Sequence, residues 1–219
     1  MMTMEIDNTF IRELDLDLQK ETVLKLHQKI EGDVSCVVWD AAIILAKYLE
    51  KLYQSNHDFF KKLKIIELGA GVGCVGLTAA CLGGTVTLTD LPEALPLLKL
   101  NVETNKTCWE HTHGYADVST LDWGKEVELK WSPDLILLAD CIYYKESIPL
   151  LFKTLKKVVG SHTEILMCQE IRDTEKQKEC WDLFIKTAKE SFSIHSIPIE
   201  EQHSEFSSPD IVILKLKKL

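Results

Sequence analysis

The chain has 219 residues, 46% of them hydrophobic and 27% charged, with a formal net charge of −9. Such a composition supplies a sizeable core and excludes an intrinsically disordered chain. The acidity opposes non-specific binding to a nucleic acid backbone and suits a basic target, such as a lysine-bearing segment of another protein.

In chain order, Met1 to Asn8 is expected to fray. Phe10 to Leu18 and Thr22 to Ile30 alternate apolar and polar residues about Gln19-Lys20-Glu21, most clearly at Leu14, Leu16 and Leu18. This pattern predicts a β-hairpin ended by Gly32 and Asp33. Residues 1–35 therefore read as an N-terminal extension and 36–219 as the main domain. Ser35 to Asp40 precedes a helical pattern over Ala41 to Leu52, which puts Trp39 where that helix begins.

Ile65 and Ile66 read as a short buried strand. Glycines follow at Gly69, Gly71, Gly73 and Gly76, and Val75 to Leu82 continues at helical spacing. A strand, a glycine turn and a helix start let backbone approach a ligand closely, because glycine carries no Cβ. Val86 to Thr89 form a second apolar run ending in Asp90, about 20 residues past the first glycine, where an acid can grip ribose hydroxyls. Glu67 at the tip of the first strand would repel a diphosphate but tolerate a cationic amino acid moiety. That contrast favours S-adenosylmethionine over a dinucleotide.

Pro92 is expected to open a helix reaching Asn105, since proline suits a first helical turn. A third strand is placed at Gly114 to Val118. His111 and His113 lack further ligands at matching spacing, so no metal site is expected. Leu121-Asp122-Trp123-Gly124 reads as a turn. Pro133 to Asp140 is almost wholly apolar, as in a parallel strand covered on both faces. A helix at Glu146 to Val159, a strand at Glu164 to Gln169 and a helix at Asp173 to Glu190 follow. Phe192 to Ile199 and Asp210 to Leu216 read as a last strand pair joined by a polar, mobile stretch, Glu200 to Pro209. The expectation is an α/β, Rossmann-like, mostly parallel sheet with helices on both faces, one antiparallel strand and the N-terminal hairpin.

The seven cysteines are odd in number and form no C-x-x-C pair, and several sit in apolar runs. That points to a reducing compartment without structural zinc. No signal peptide or membrane-spanning run is read, and a cytoplasmic protein is expected.

Five stretches in order carry a resemblance: Val38-Trp39-Asp40-Ala41-Ala42, Glu67-Leu68-Gly69-Ala70-Gly71-Val72-Gly73, Thr89-Asp90-Leu91, Leu121-Asp122-Trp123-Gly124 and Ala139-Asp140-Cys141-Ile142-Tyr143-Tyr144. From Cys36 onward the chain resembles the seven-β-strand protein lysine methyltransferases. The resemblance implies seven strands with the last antiparallel, S-adenosylmethionine as cofactor, and a D-x-x-Y motif matched by Asp140 and Tyr143. It also implies a protein substrate, with valosin-containing protein, an AAA-type ATPase, or a related ATPase or chaperone as the expected one. Gly69, Ala70 and Gly71 are expected against the cofactor's amino acid part, near Glu67, and Asp90 on its ribose. Asp122 and Trp123 would border the adenine and Trp39 would pack from the N-terminal side, with Leu91 and Ala139 completing the cofactor set. Asp140 is expected to attract the lysine ammonium and Tyr143 to orient the amine.

Nothing in the sequence stands out as a general base. A nucleic acid or small-molecule methyltransferase on the same fold stays open, as does a non-catalytic module that keeps the cofactor. The acidic balance argues against nucleic acid. A monomer without membrane or nucleic acid partners is the expectation.

Overall fold

The computed structural model describes residues 9–18, 21–126, 129 and 131–219. Residues 1–8, expected to fray, and the hairpin residues Gln19 and Lys20 lie outside the described residues. Strands β1 (Thr9–Leu16) and β2 (Thr22–Lys29) pair antiparallel, with Leu14 opposite Leu24. Helix α1 (Asp40–Ser55) follows, then β3 (Lys64–Leu68), α2 (Cys74–Cys81), β4 (Thr85–Asp90), α3 (Leu95–Thr104) and β5 (Tyr115–Thr120). The chain continues through β6 (Leu135–Ala139), α4 (Ser147–Val158), β7 (Glu164–Glu170), α5 (Glu175–Lys189), β8 (Phe192–Ile197) and β9 (Ile211–Lys218).

β3 to β9 form a seven-stranded sheet in the order β5-β4-β3-β6-β7-β9-β8. β9 is inserted between β7 and β8 and runs antiparallel to both, as expected of the final strand pair. The other pairings are parallel. β3 is an inner strand, and the chain leaves it first towards β4 and later returns on the other side as β6. This reversal is a topological switch point, and the crevice beyond the strand ends there is where open α/β sheets bind ligands.

Strand period two distributes the core over two faces. Ile65 and Leu137 join one buried cluster with residues of α1, α2 and α3. Ile66, Leu68, Ile136 and Leu138 join the other, with Leu151, Phe152 and Leu155 of α4 and Phe184 of α5. Covering on both faces explains why β3 and β6 read as unbroken apolar runs.

The hairpin is fastened rather than appended. Leu24 and Leu26 are fully buried within the first cluster. Asn101 and Asn105, one turn apart on α3, serve the open edge of β2. Asn101 accepts from the amide of His27 at 2.7 Å and donates to its carbonyl at 3.0 Å. Asn105 does the same for Lys25, at 2.7 and 2.9 Å. The two side-chain amides act as a substitute strand for backbone groups that would otherwise be left unpaired.

Three local expectations shift. α3 begins at Leu95 with Pro96 in its first turn, so Pro92 lies in the preceding turn instead. The third strand of the sheet's first half starts at Tyr115 and extends to Thr120. The stretch Glu200 to Pro209, expected to be mobile, is tied to the body of the protein. Gln202 is buried, donates to the Ile197 carbonyl at 3.0 Å and accepts from Lys51 Nζ at 2.6 Å through its own carbonyl.

Candidate active site at the sheet switch point

The carboxyl ends of β3, β4 and β6 open into one cavity of about 550 Å³. All twelve residues singled out from the sequence line it: Trp39, Glu67, Gly69, Ala70, Gly71, Asp90, Leu91, Asp122, Trp123, Ala139, Asp140 and Tyr143. They come from separate strand ends and loops, which only the parallel sheet brings together.

The turn after β3 bends through left-handed backbone, with φ of 68° at Gly69 and 54° at Gly71. These positions are also crowded. A Cβ on Gly69 would stand 3.0 Å from Cys141 Sγ and 3.2 Å from the Trp123 ring, and one on Gly71 would stand 3.2 Å from the Ser35 carbonyl oxygen. Both conformation and space therefore require glycine here. Gly76 has a different reason. Its amide donates to Glu67 Oε2 at 2.9 Å, and a Cβ there would collide with the same carboxylate.

Glu67 points from β3 towards α2 and is buried. Burial pushes its carboxyl up to about 8, opposed by the Gly76 hydrogen bond and reinforced by nearby Asp90. Asp90 closes β4, accepting from the Gly71 amide at 2.7 Å on one oxygen and from the Leu91 amide at 2.7 Å on the other. Burial raises its pKa, and those two amides oppose the shift. A carboxylate has about four acceptor sites, so each oxygen retains one towards the cavity.

The wall after β5 is a turn in which Asp122 pairs with Lys125 at 2.5 Å. Its Gly124 amide is held by Thr154 Oγ1 of α4 at 2.9 Å, which keeps the neighbouring Trp123 against the glycine turn. Val34, Ser35, Val37, Val38 and Trp39 also line the cavity, with Ser35 against the turn at Gly71. Trp39 caps α1 by backbone geometry, is 39% exposed, and donates its indole Nε1–H to the Val34 carbonyl at 2.8 Å.

Asp140 follows β6 with φ of 51°, a left-handed conformation that aspartate tolerates better than most residues. It is buried, and the Tyr143 phenol is raised by burial well above its ordinary range. Tyr143 is therefore a neutral hydroxyl at physiological pH, able to donate or accept a hydrogen bond but not present as a phenolate. Cys141, beneath the site, is likewise pushed up by burial and donates to the carbonyls of Leu68 and Ala139, both at 3.4 Å.

Two residues of the stretch Cys168 to Arg172, whose role the sequence leaves open, also reach the site. Gln169 on β7 donates to Asp140 Oδ1 at 2.7 Å and accepts from the Ile142 amide at 2.9 Å. Arg172 reaches Asp140 with both nitrogens, at 3.2 and 2.5 Å. Their signal is the register Ala139 to Cys168, which sets the ends of β6 and β7 side by side. No local pattern in Cys168 to Arg172 announces it.

The arrangement suits S-adenosylmethionine. It offers a turn in which Gly69 and Gly71 carry no Cβ, an acid with open acceptor sites at a strand tip, and an apolar wall of Leu91, Leu121 and Trp123. Mostly apolar lining with few convergent polar groups is the usual character of a cofactor pocket.

Comparison with known proteins agrees. A family model described as lysine methyltransferase matches residues 18–190. The chain is 36% identical to the zebrafish (Danio rerio) protein N-lysine methyltransferase METTL21A over 171 residues, covering 77% of this chain and 73% of that protein. It is 40% identical to EEF1A lysine methyltransferase 3 of Xenopus tropicalis over 140 residues, 64% of this chain and 59% of the relative. Against mouse (Mus musculus) METTL21A the figures are 42% over 142 residues, 64% and 62%. The match thus spans about three fifths of the length of the last two relatives.

Among solved structures, the T. Thermophilus 16S rRNA methyltransferase RsmC superposes with a TM-score of 0.63 at 13% identity, over 97% of this chain and 51% of that one. A TehB-like S-adenosylmethionine-dependent methyltransferase from Corynebacterium glutamicum gives 0.57 at 12%, over 84% and 89%. At such identities these two establish the shared fold. The matched family model covers most of the chain, which therefore belongs to the lysine methyltransferase family, on the seven-stranded sheet with which that family uses S-adenosylmethionine.

Proposed function

We propose that this chain is a protein-lysine N-methyltransferase that transfers methyl groups from S-adenosylmethionine to a lysine of valosin-containing protein or a related ATPase or chaperone. It would act as a cytoplasmic monomer. The observation that carries the reading is the meeting of the Gly69–Gly71 cradle, Asp90 and the Asp140–Tyr143 motif in one cavity.

When bound, the cofactor supplies an electrophilic methyl group on a positively charged sulfur. Gly69, Ala70 and Gly71 would hold its amino acid part near Glu67. Asp90 would bind the ribose hydroxyls with its free acceptor sites, and Trp123, Leu91 and Leu121 would cover the adenine. Trp39 closes the cavity from the N-terminal side.

The acceptor nitrogen needs its lone pair to form the new bond to carbon while the carbon–sulfur bond breaks, so the lysine must first lose a proton. With a reference pKa of about 10.4, deprotonation at pH 7 costs roughly 4.6 kcal/mol, at about 1.36 kcal/mol per pH unit. Tyr143 stays protonated, and so serves to orient the amine rather than to take the proton. Burial of the amine among Trp39, Tyr143 and Tyr144 would help the proton leave to water.

The net charge of −9 supports a protein target with basic character over a nucleic acid. Since one relative is named for EEF1A, the test pairs two candidates. Purified valosin-containing protein and EEF1A are incubated separately with the enzyme and labelled cofactor, and mass spectrometry locates the modified lysine. Methylation of valosin-containing protein is expected. Label on EEF1A alone would reassign the substrate, and label only in RNA or small molecules would overturn the reading.

A further inference from the structure

Asp140 does not face the cavity as a bare anion. Arg172 grips both carboxylate oxygens, Nη1 to Oδ1 at 3.2 Å and Nη2 to Oδ2 at 2.5 Å. Gln169 adds a second donor to Oδ1 at 2.7 Å. Arg172 is itself held from two further sides, by Glu170 at 2.7 Å and by the Trp39 ring, whose centroid lies 5.3 Å from the guanidinium carbon. Its side chain is 24% exposed and that of Asp140 is 5%. A fork pairing with so little solvent, anchored at three points, is a fixed part of the cavity wall.

We infer that Arg172 is a positioning residue that neutralises Asp140, so that the acceptor lysine meets an ion pair and docks as the neutral amine. The inference rests on the reading of this cavity as a methyl-transfer site. A lone carboxylate would attract lysine in its ammonium form and hold the proton on it, because an opposite charge favours the charged state. An attached guanidinium cancels that pull. It leaves the second lone pair of a carboxylate oxygen able to accept a hydrogen bond from the amine. A neighbouring cation is also a recognised means of releasing a lysine proton.

The other charges facing the pair fit this picture. Glu170 partly offsets Arg172 but is 36% exposed, so water weakens its effect. Glu67, at the tip of β3, is kept largely protonated near neutral pH by burial. Asp90, at the tip of β4, is bound by two amides. From α5, Lys176 lies 5.3 Å over the Tyr144 ring and adds positive charge at the mouth. Asp122 across the cavity is paired with Lys125. Tyr143 stays a neutral phenol.

The test uses the difference of one charge between S-adenosylmethionine and its neutral product, S-adenosylhomocysteine. Calorimetry measures both dissociation constants for the wild type, Arg172→Gln, Arg172→Lys and Asp140→Asn. Removing the guanidinium should raise the preference for the cationic ligand about three- to tenfold, as expected of one screened charge nearby. Asp140→Asn should lower that preference by a similar factor, and Arg172→Lys should keep the wild-type ratio. On a methylated protein substrate, Arg172→Gln should also lower KM, lower kcat at pH 7 and move the rise of kcat to higher pH.

A purely structural role predicts that both ligands weaken together and that the two charge-removing variants shift in the same direction; either result overturns the proposal. So does a lower KM with an unmoved pH profile, which would make Arg172 only a gate. If Arg172→Gln does not fold, Asp140→Asn and Arg172→Lys decide the sign. A wild-type protein that binds neither ligand would instead overturn the reading of the site.

Discussion

Asp90 is the residue where position and chemistry agree most closely. Its oxygens are already fixed by the amides of Gly71 and Leu91, so the side chain needs no rearrangement to take a diol. Asp90→Ala is expected to cost about 1.5–3 kcal/mol of cofactor affinity, roughly a ten- to hundredfold rise in dissociation constant. Calorimetry on the folded variant checks it, and an unchanged constant would contradict the ribose assignment. Asp140→Asn separates binding from turnover. Asparagine accepts the left-handed backbone and keeps the side-chain shape, so S-adenosylhomocysteine should bind within about threefold of the wild-type value. Turnover should fall at least about tenfold, since charge-assisted hydrogen bonds to Arg172 are worth about 1.5–3 kcal/mol. Near wild-type turnover on the same sample would remove Asp140 from the mechanism.

At the scale of elements, the hairpin, α1 and the stretch before β9 are joined by one buried lysine. Lys47 Nζ donates to the Asp15 carbonyl at 2.6 Å, pairs with Glu50 at 2.9 Å and lies 5.1 Å over the Phe206 ring. Lys47→Met would leave Glu50 buried without its cation, and such losses cost about 3–5 kcal/mol. Urea unfolding should show that loss, and Lys47→Met with Glu50→Leu should recover most of it. A single variant within about 1 kcal/mol of wild type would show the pair to be dispensable.

The same cluster marks the limit of sequence reading. β3, β6 and the strand-end acids were legible because each lies in a local apolar run or beside glycines. Glu200 to Pro209 reads as a free loop because the side chains that hold it, Lys51 at the Gln202 carbonyl and Lys47 over the Phe206 ring, are distant in sequence. The roles of Gln169 and Arg172 stay open in the sequence for a like reason, since both side chains reach Asp140 at the end of another strand. The parallel register of β6 and β7 brings them to Asp140. Pro96 rather than Pro92 opens α3 because both lie within one turn of the helix start, and spacing alone does not separate them.

The whole molecule carries the burial of Glu67, since its site exists only when β3 is covered by α2 and the sheet is complete. Folding raises this carboxyl from its ordinary value of 4.5 to about 8. The folded state therefore holds the proton more tightly than the unfolded state does. The stability it contributes is fully present below about pH 4.5 and is lost as pH rises through 8, with a slope set by the difference in bound protons. Glu67→Gln retains an acceptor for the Gly76 amide and cannot ionise. Unfolding midpoints in urea, measured from about pH 5 to 8, should fall with pH more steeply in the wild type than in this variant. The difference between the two should grow by several kcal/mol across that range, at about 1.36 kcal/mol for each pH unit crossed. Other titrating groups are common to both proteins and cancel in the comparison. Parallel curves would mean that the carboxyl ionises without penalty, and that its burial beneath α2 does not hold in solution. If the curves diverge as expected, adding S-adenosylmethionine should stabilise the wild type more at about pH 8 than at about pH 6 relative to the variant. A cationic ligand beside Glu67 favours its ionised form and offsets the penalty of burying that charge.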